Sequence, residues 1–133
     1  MVKDIAELLD EPGTTVALVG AGGNPSKYGS VIYHDLLRKG FTVYPINLGR
    51  ATIDGNKAYA SLADLPEKPT VVNFVVPPQQ TLAVLRQCLE LNLMNVWIQP
   101  GAESPEVMAF VQENGFNYLA NACIMVQSRH KKR

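Results

Sequence analysis

The chain is short of charge, cysteine and histidine. Charged residues make up 18% of its 133 positions, below the usual quarter of a globular domain. Hydrophobic residues reach 47%, so a chain of this length can bury a core without disulfide or metal staples. The two cysteines, Cys88 and Cys123, are too few for a disulfide framework and stand at no zinc-ligand spacing. A reducing, cytoplasmic setting is the simple expectation. No stretch approaches the roughly 18 apolar residues of a membrane span. The opening Met1-Val2-Lys3-Asp4 lacks the apolar run of a secretory leader. A soluble, intracellular protein is expected.

Other absences narrow the chemistry. No Gly-Lys-Ser/Thr tripeptide occurs, which excludes a Walker A loop. No carboxylate pair, Ser-His-Asp set or metal cluster emerges. Asp35, Asp54 and Asp64 are scattered; His34 reads as a surface residue of the first helix, and His130 belongs to a basic tail. Catalysis needs a positioned acid, base or nucleophile, so the pattern favours binding over turnover. Net charge is zero, but four of the twelve basic residues, Arg129, Lys131, Lys132 and Arg133, fall in the last five positions. Residues 1–128 therefore hold eight basic against twelve acidic groups. Such an acidic body argues against a duplex nucleic-acid binder. The tail, 128–133, reads as solvated, contact with RNA or an anionic surface being the alternative.

What is present is a regular alternation. Residues 3–9 suit a short helix, and 14–19 read as a buried β-branched strand stopped by Gly20. Ile32, Leu36 and Leu37 mark a helix over 29–39, closed by Gly40. Residues 41–46 form a second strand, with Pro45 near its end. A longer connection holds Gly49, Asp54-Gly55 and a helical turn at 61–64. Strands at 71–76, 95–98 and 116–119 alternate with helices at 79–92 and after Ser104. Five apolar strands separated by helices imply an α/β, Rossmann-like three-layer sandwich on a five-stranded parallel sheet. The expected order is 3-2-1-4-5, with a ligand cleft beyond the ends of strands 1 and 4. One domain, residues 1–127, accounts for all of it.

The loop Gly20-Ala21-Gly22-Gly23-Asn24-Pro25-Ser26-Lys27 runs from the first strand into the first helix. Glycines let backbone approach an anion, and helix-start N–H groups point at it. Ser26 and Ser30 add hydroxyls, and Lys27 a positive charge. A plain βα turn is the other reading. The fingerprint G-x-G-x-x-G would begin at Gly20 and Gly22, but its third position is Pro25. Asn47 stands where an NAD site usually places an acid. The residues alone reach an adenine-nucleotide-type phosphate ligand.

Taken together, six ordered segments resemble the small CoA-binding proteins related to the nucleotide-binding domain of the succinyl-CoA synthetase α subunit. They are Val19-Gly20-Ala21 with Asn24 to Lys27, Gly40 to Asn47, Gly55 with Ala58 to Leu62, Phe74 to Pro78, Val96 to Gly101, and Cys123 to Val126. The resemblance spans about residues 14–127. It implies coenzyme A or an acyl-CoA as ligand, in a regulatory or carrier role. Gly20, Ala21, Gly22, Pro25, Lys27 and Ser30 would hold the pyrophosphate. Val43, Pro45 and Asn47 would line the adenosine side. Val75, Val76 and Pro77 would pack on adenine or pantetheine, with Gln99 and Gly101 on the opposite wall. Lys27 or Arg50 would meet the 3′-phosphate. Cys123, near the same rim, can be a redox contact for the pantetheine thiol or a small packing residue. The chain departs from the family in Gly22 for Ser, Gln79 for an acid, and Asn121-Ala122 for Asp-Arg. An NADP-linked oxidoreductase, suggested by the same loop and Arg50, and an interaction scaffold using the basic tail stay open.

Overall fold

A computed structural model describes residues 4–20, 28–47, 49, 51–53 and 55–129. Five parallel strands form the sheet: β1 (Thr15–Val19), β2 (Thr42–Ile46), β5 (Val71–Phe74), β6 (Asn95–Ile98) and β7 (Asn117–Ala120). Two further two-residue strands, β3 (Thr52–Ile53) and β4 (Asn56–Lys57), pair antiparallel in a small hairpin. The helices are α1 (Ile5–Leu8), α2 (Tyr28–Arg38), α3 (Pro78–Leu91), α4 (Pro105–Glu113) and α5 (Ile124–Gln127), with a 3-10 turn over Leu62–Asp64.

Successive strand residues face opposite sides of a sheet, and the burial follows that rule. Val16, Leu18, Val71 and Trp97 pack with Ile5, Ile32, Leu36 and Ile124, which places α1, α2 and α5 on one face. Ala17, Val19, Val72, Phe74, Val96 and Ile98 pack with Leu85, Val107 and Val111, which places α3 and α4 on the other. The result is the expected three-layer α/β sandwich.

The strand order is β2-β1-β5-β6-β7. Counting only the five long strands, this is 2-1-3-4-5 rather than 3-2-1-4-5: strand 71–74 pairs with β1, not with β2. The reason lies in composition. Val71 to Phe74 are buried throughout, as a central strand requires. In β2 Thr42 is exposed and Tyr44 half-buried, as suits an edge. Pro45 also suits an edge, because it has no N–H to donate to a further strand on the side away from β1. Its carbonyl accepts from the Tyr59 N–H at 2.9 Å, on the side away from β1. The topological switch point therefore falls between β1 and β5, and the cleft belongs there.

Helix ends follow local chemistry. Gly40, at φ +90°, closes α2, its N–H donating to Leu37 O and that of Phe41 to Leu36 O, each at 3.0 Å. Asn92 takes the left-handed conformation at the end of α3. Ser104 Oγ caps α4 by accepting from the Val107 N–H at 3.1 Å. No described helix is long and apolar enough to cross a membrane.

Candidate functional site

The parallel ladder carries the ends of β1, β2, β5 and β6 to one rim. Gly20 N–H donates to Ile46 O at 3.3 Å, Val75 N–H to Val19 O at 3.0 Å and Gln99 N–H to Phe74 O at 3.0 Å. Gly20 has φ +107°, and a Cβ there would lie 2.8 Å from Val76 Cγ1 and 3.0 Å from Val75 O. Conformation and space both demand glycine. Gly29, in the first turn of α2, is equally confined: a Cβ would run into Gly20 O and sit 3.3 Å from Val75 Cγ1. These two glycines let the start of α2 close directly onto the ends of β1 and β5. The free N–H groups of the helix's first turn and its positive dipole end are thereby brought to the rim. Ala21, Gly22, Pro25, Lys27 and Arg50 lie outside the described residues.

Two clefts share Val76 as a wall. The larger, about 550 Å³, lies between the ends of β1 and β2 and the start of α3, lined by Gly20, Asn47, Gly49, Ala60, Val76 and Gln80 among others. None of its described lining residues is acidic, so none of them repels a phosphate. Asn47 is fixed in place: its N–H donates to Tyr59 O at 2.8 Å, and its Oδ1 accepts from the Gly49 N–H at 2.9 Å. The smaller cleft, about 360 Å³, runs between the ends of β5 and β6, with walls from Tyr28, Val75, Pro77, Pro100 and Gly101. It is uncharged and largely apolar, suited to a neutral chain. A third groove, about 280 Å³, lies by Leu65, Pro69 and Leu93, at the opposite ends of β5 and β6, and takes no part in the rim.

The rim thus unites Gly20, Asn47, Val75, Val76, Pro77 and Gly101. Other residues expected there are elsewhere. Val43 packs in the core with Ile32 and Leu36, because it lies mid-strand, about 10 Å below the end of β2 at ~3.3 Å per residue. Pro45 is buried within β2. Ser30 is buried in the first turn of α2, 1% exposed, and lines neither cleft. Gln99 is fully buried, its Oε1 accepting from the Ile124 N–H at 2.8 Å and so tying α5 to the sheet. Tyr28 and Gly29 are additions. Their signal was in the sequence: a glycine at helix start, after a glycine-ended strand, marks close helix–strand packing.

Cys123 precedes α5, and its Sγ lies 2.8 Å from the Tyr28 hydroxyl. Partial burial pushes the thiol up, but it is outweighed by the Tyr28 hydroxyl, the Gln99 carboxamide and the backbone N–H groups of Met125 and Val126, leaving Cys123 below the ordinary thiol value. The same contact pushes the Tyr28 phenol up to about 12, with burial adding to it, so the phenol stays a donor. Cys88 is buried on α3, and burial pushes it up to about 12. Thiolate is the reacting form. Iodoacetamide labelling followed by mass spectrometry across a pH series should therefore modify Cys123 with a midpoint below that of a free thiol and leave Cys88 unmodified in the folded protein. A midpoint at or above the free value would contradict this arrangement. Among the described residues no group of three or more His, Cys, Asp or Glu is placed to hold a metal ion.

Residues 14–129 match the family described as CoA binding domain. The chain is 25% identical over 126 residues to the α subunit of ADP-forming acetate–CoA ligase II of Pyrococcus furiosus, a match covering 86% of this chain and 28% of that one. It is 32% identical over 80 residues to the α subunit of ligase I from the same organism, covering 56% of this chain and 17% of the subunit. The chain thus spans about a quarter or less of these relatives. Among solved structures, a conserved hypothetical protein of Pyrococcus furiosus superposes with a TM-score of 0.84 at 44% identity, over 86% of this chain and 99% of that one. A hypothetical protein of Pyrococcus horikoshii gives 0.84 at 32% identity, over 93% and 87%.

Proposed function

The chain belongs to the CoA binding domain family, and from that premise we propose that it binds coenzyme A or an acyl-CoA at this rim as a binding module, in a regulatory or carrier role. One observation carries the reading: a cleft between the ends of β1 and β2, with no acidic residue among its described lining, and an uncharged cleft beyond β5 and β6 meet at Val76. A coenzyme with phosphates at one end and a long neutral thiol arm at the other needs two such compartments side by side. The pyrophosphate would lie against Gly20, the loop from Ala21 to Lys27 and the start of α2, where backbone N–H groups favour anions. Ser30 supports that turn from within. Asn47 would border the adenosine side, with Pro45 packed behind it in β2. The pantetheine arm would pass Val75, Val76 and Pro77 and face Gly101, with Gln99 and Val43 acting from beneath as packing.

Calorimetric titration of the full chain with coenzyme A, ADP, NAD and NADP checks this. Coenzyme A should bind more tightly than ADP, because the arm adds apolar contact in the second cleft. No heat from millimolar coenzyme A, or tighter binding of NADP, would sink the reading.

A further inference from the structure

We propose that Cys123 is a thiol-exchange site, taking the pantetheine sulfur from a disulfide of coenzyme A and holding it as a mixed disulfide on the protein. This rests on the reading of the rim as a coenzyme A site.

Three placements argue for it. Tyr28 is a wall of the smaller cleft and its hydroxyl touches Cys123 Sγ at 2.8 Å, so the thiol lies directly behind the compartment assigned to the pantetheine arm. Tyr28 is 45% exposed, so its ring is not locked in the core. Gln99 supplies the second, independent mark. It is 0% exposed, yet among the described residues its Nε2 has no partner at full hydrogen-bond distance. The Ile124 N–H occupies its Oε1, which turns the NH₂ end towards Tyr28 and Cys123, where it favours the ionised form of each. A buried donor left open costs free energy, and an acceptor delivered by a ligand satisfies it. The pantetheine amide carbonyl is such an acceptor. Cys88, in contrast, sits 0% exposed in the core.

The step balances without net oxidation. Cys123, having lost its proton to solvent, attacks one sulfur of the coenzyme disulfide. The ligand's S–S bond breaks, a bond forms between Cys123 Sγ and the pantetheine sulfur, and one coenzyme A thiolate leaves and takes up a proton. Attack by a second thiol reverses it. Tyr28 donates to the attacking sulfur and stays protonated throughout.

The full chain, reduced and desalted, is treated in parallel with coenzyme A disulfide and with glutathione disulfide at equal concentration, and followed by intact-mass and peptide mass spectrometry. Binding of reduced coenzyme A is measured separately by calorimetry. The expected result is one coenzyme equivalent on the peptide bearing Cys123. It should form at least about tenfold faster than the glutathione adduct, because binding presents the sulfur to the thiol. Dithiothreitol should remove it, and Cys123→Ser should lack it. Equal rates from the two disulfides, an adduct on Cys88, or no adduct while reduced coenzyme A binds would each overturn the exchange site and leave the binding reading standing. Absence of reduced coenzyme A binding overturns both.

Discussion

Gly29→Ala is expected to lower coenzyme A affinity at least tenfold, about 1.4 kcal/mol, and to destabilise the fold by about 1–3 kcal/mol. The added methyl would collide with Gly20 O and press on Val75 Cγ1. Neither neighbour can move aside easily: Gly20 is the hydrogen-bonded end of β1, and Val75 continues β5 beside it. The relief available is for α2 to lift from the sheet. That lift withdraws the helix's first N–H groups from the rim, so stability and binding should fall together. Gly49→Ala is the contrast for stability, since among the described residues its Cβ would meet only Asn47 Oδ1, at an ordinary 3.7 Å; a change within about 0.5 kcal/mol is expected. Urea denaturation and calorimetric titration of both variants check the pair. A Gly29→Ala protein with wild-type midpoint and wild-type affinity would remove the clamp from the account.

Much of this arrangement is readable in the residues, because it depends on local pattern. Short apolar runs at 14–19, 71–76 and 95–98 give the central strands. The rule that α/β ligands gather at carboxyl ends of strands then selects Gly20, Asn47, Val76 and Gly101. Strand order is less local. Crossing from β2 back over β1 and adding beyond β2 use the same sequence pattern, and only the edge character of Pro45 and exposed Thr42 distinguishes them. The hairpin β3–β4 is two residues per strand, too short for periodicity, although Asp54-Gly55 is a recognised hairpin signal. Four-residue α5 carries no pattern of its own. It is held by Gln99, a contact between residues 25 apart in sequence. Gln99 and Val43 also show the limit of reading sites from strand ends. Position along a strand fixes how near the backbone comes to the rim, but the two-residue alternation and depth decide where the side chain goes.

Trp97→Ala should cost about 3–5 kcal/mol, a large share of the roughly 5–15 kcal/mol that holds a domain folded. Trp97 heads the largest fully buried side chains and packs with Leu18 and Ile124 on the face covered by α1, α2 and α5. Its Nε1–H donates to Ala122 O at 2.8 Å. Trp97→Phe keeps most of the ring volume but strips Ala122 O of that donor. The expected cost is smaller, about 1–3 kcal/mol. The difference between the two variants separates packing from the hydrogen bond. It also has a local consequence, because Ala122 precedes Cys123. The Trp97 N–H and the Gln99 carboxamide are two side-chain ties from β6 to this segment, so losing one should loosen α5 before the rest of the sheet. Amide exchange in the Phe variant should rise around 122–128 and stay slow in β1 and β5. Because Trp97 is the chain's single tryptophan, unfolding of the variants must be followed by circular dichroism rather than indole fluorescence. Equal destabilisation by Phe and Ala would assign the whole effect to the hydrogen bond. Unchanged exchange at 122–128 in the Phe variant would show that the turn before Cys123 is held without it.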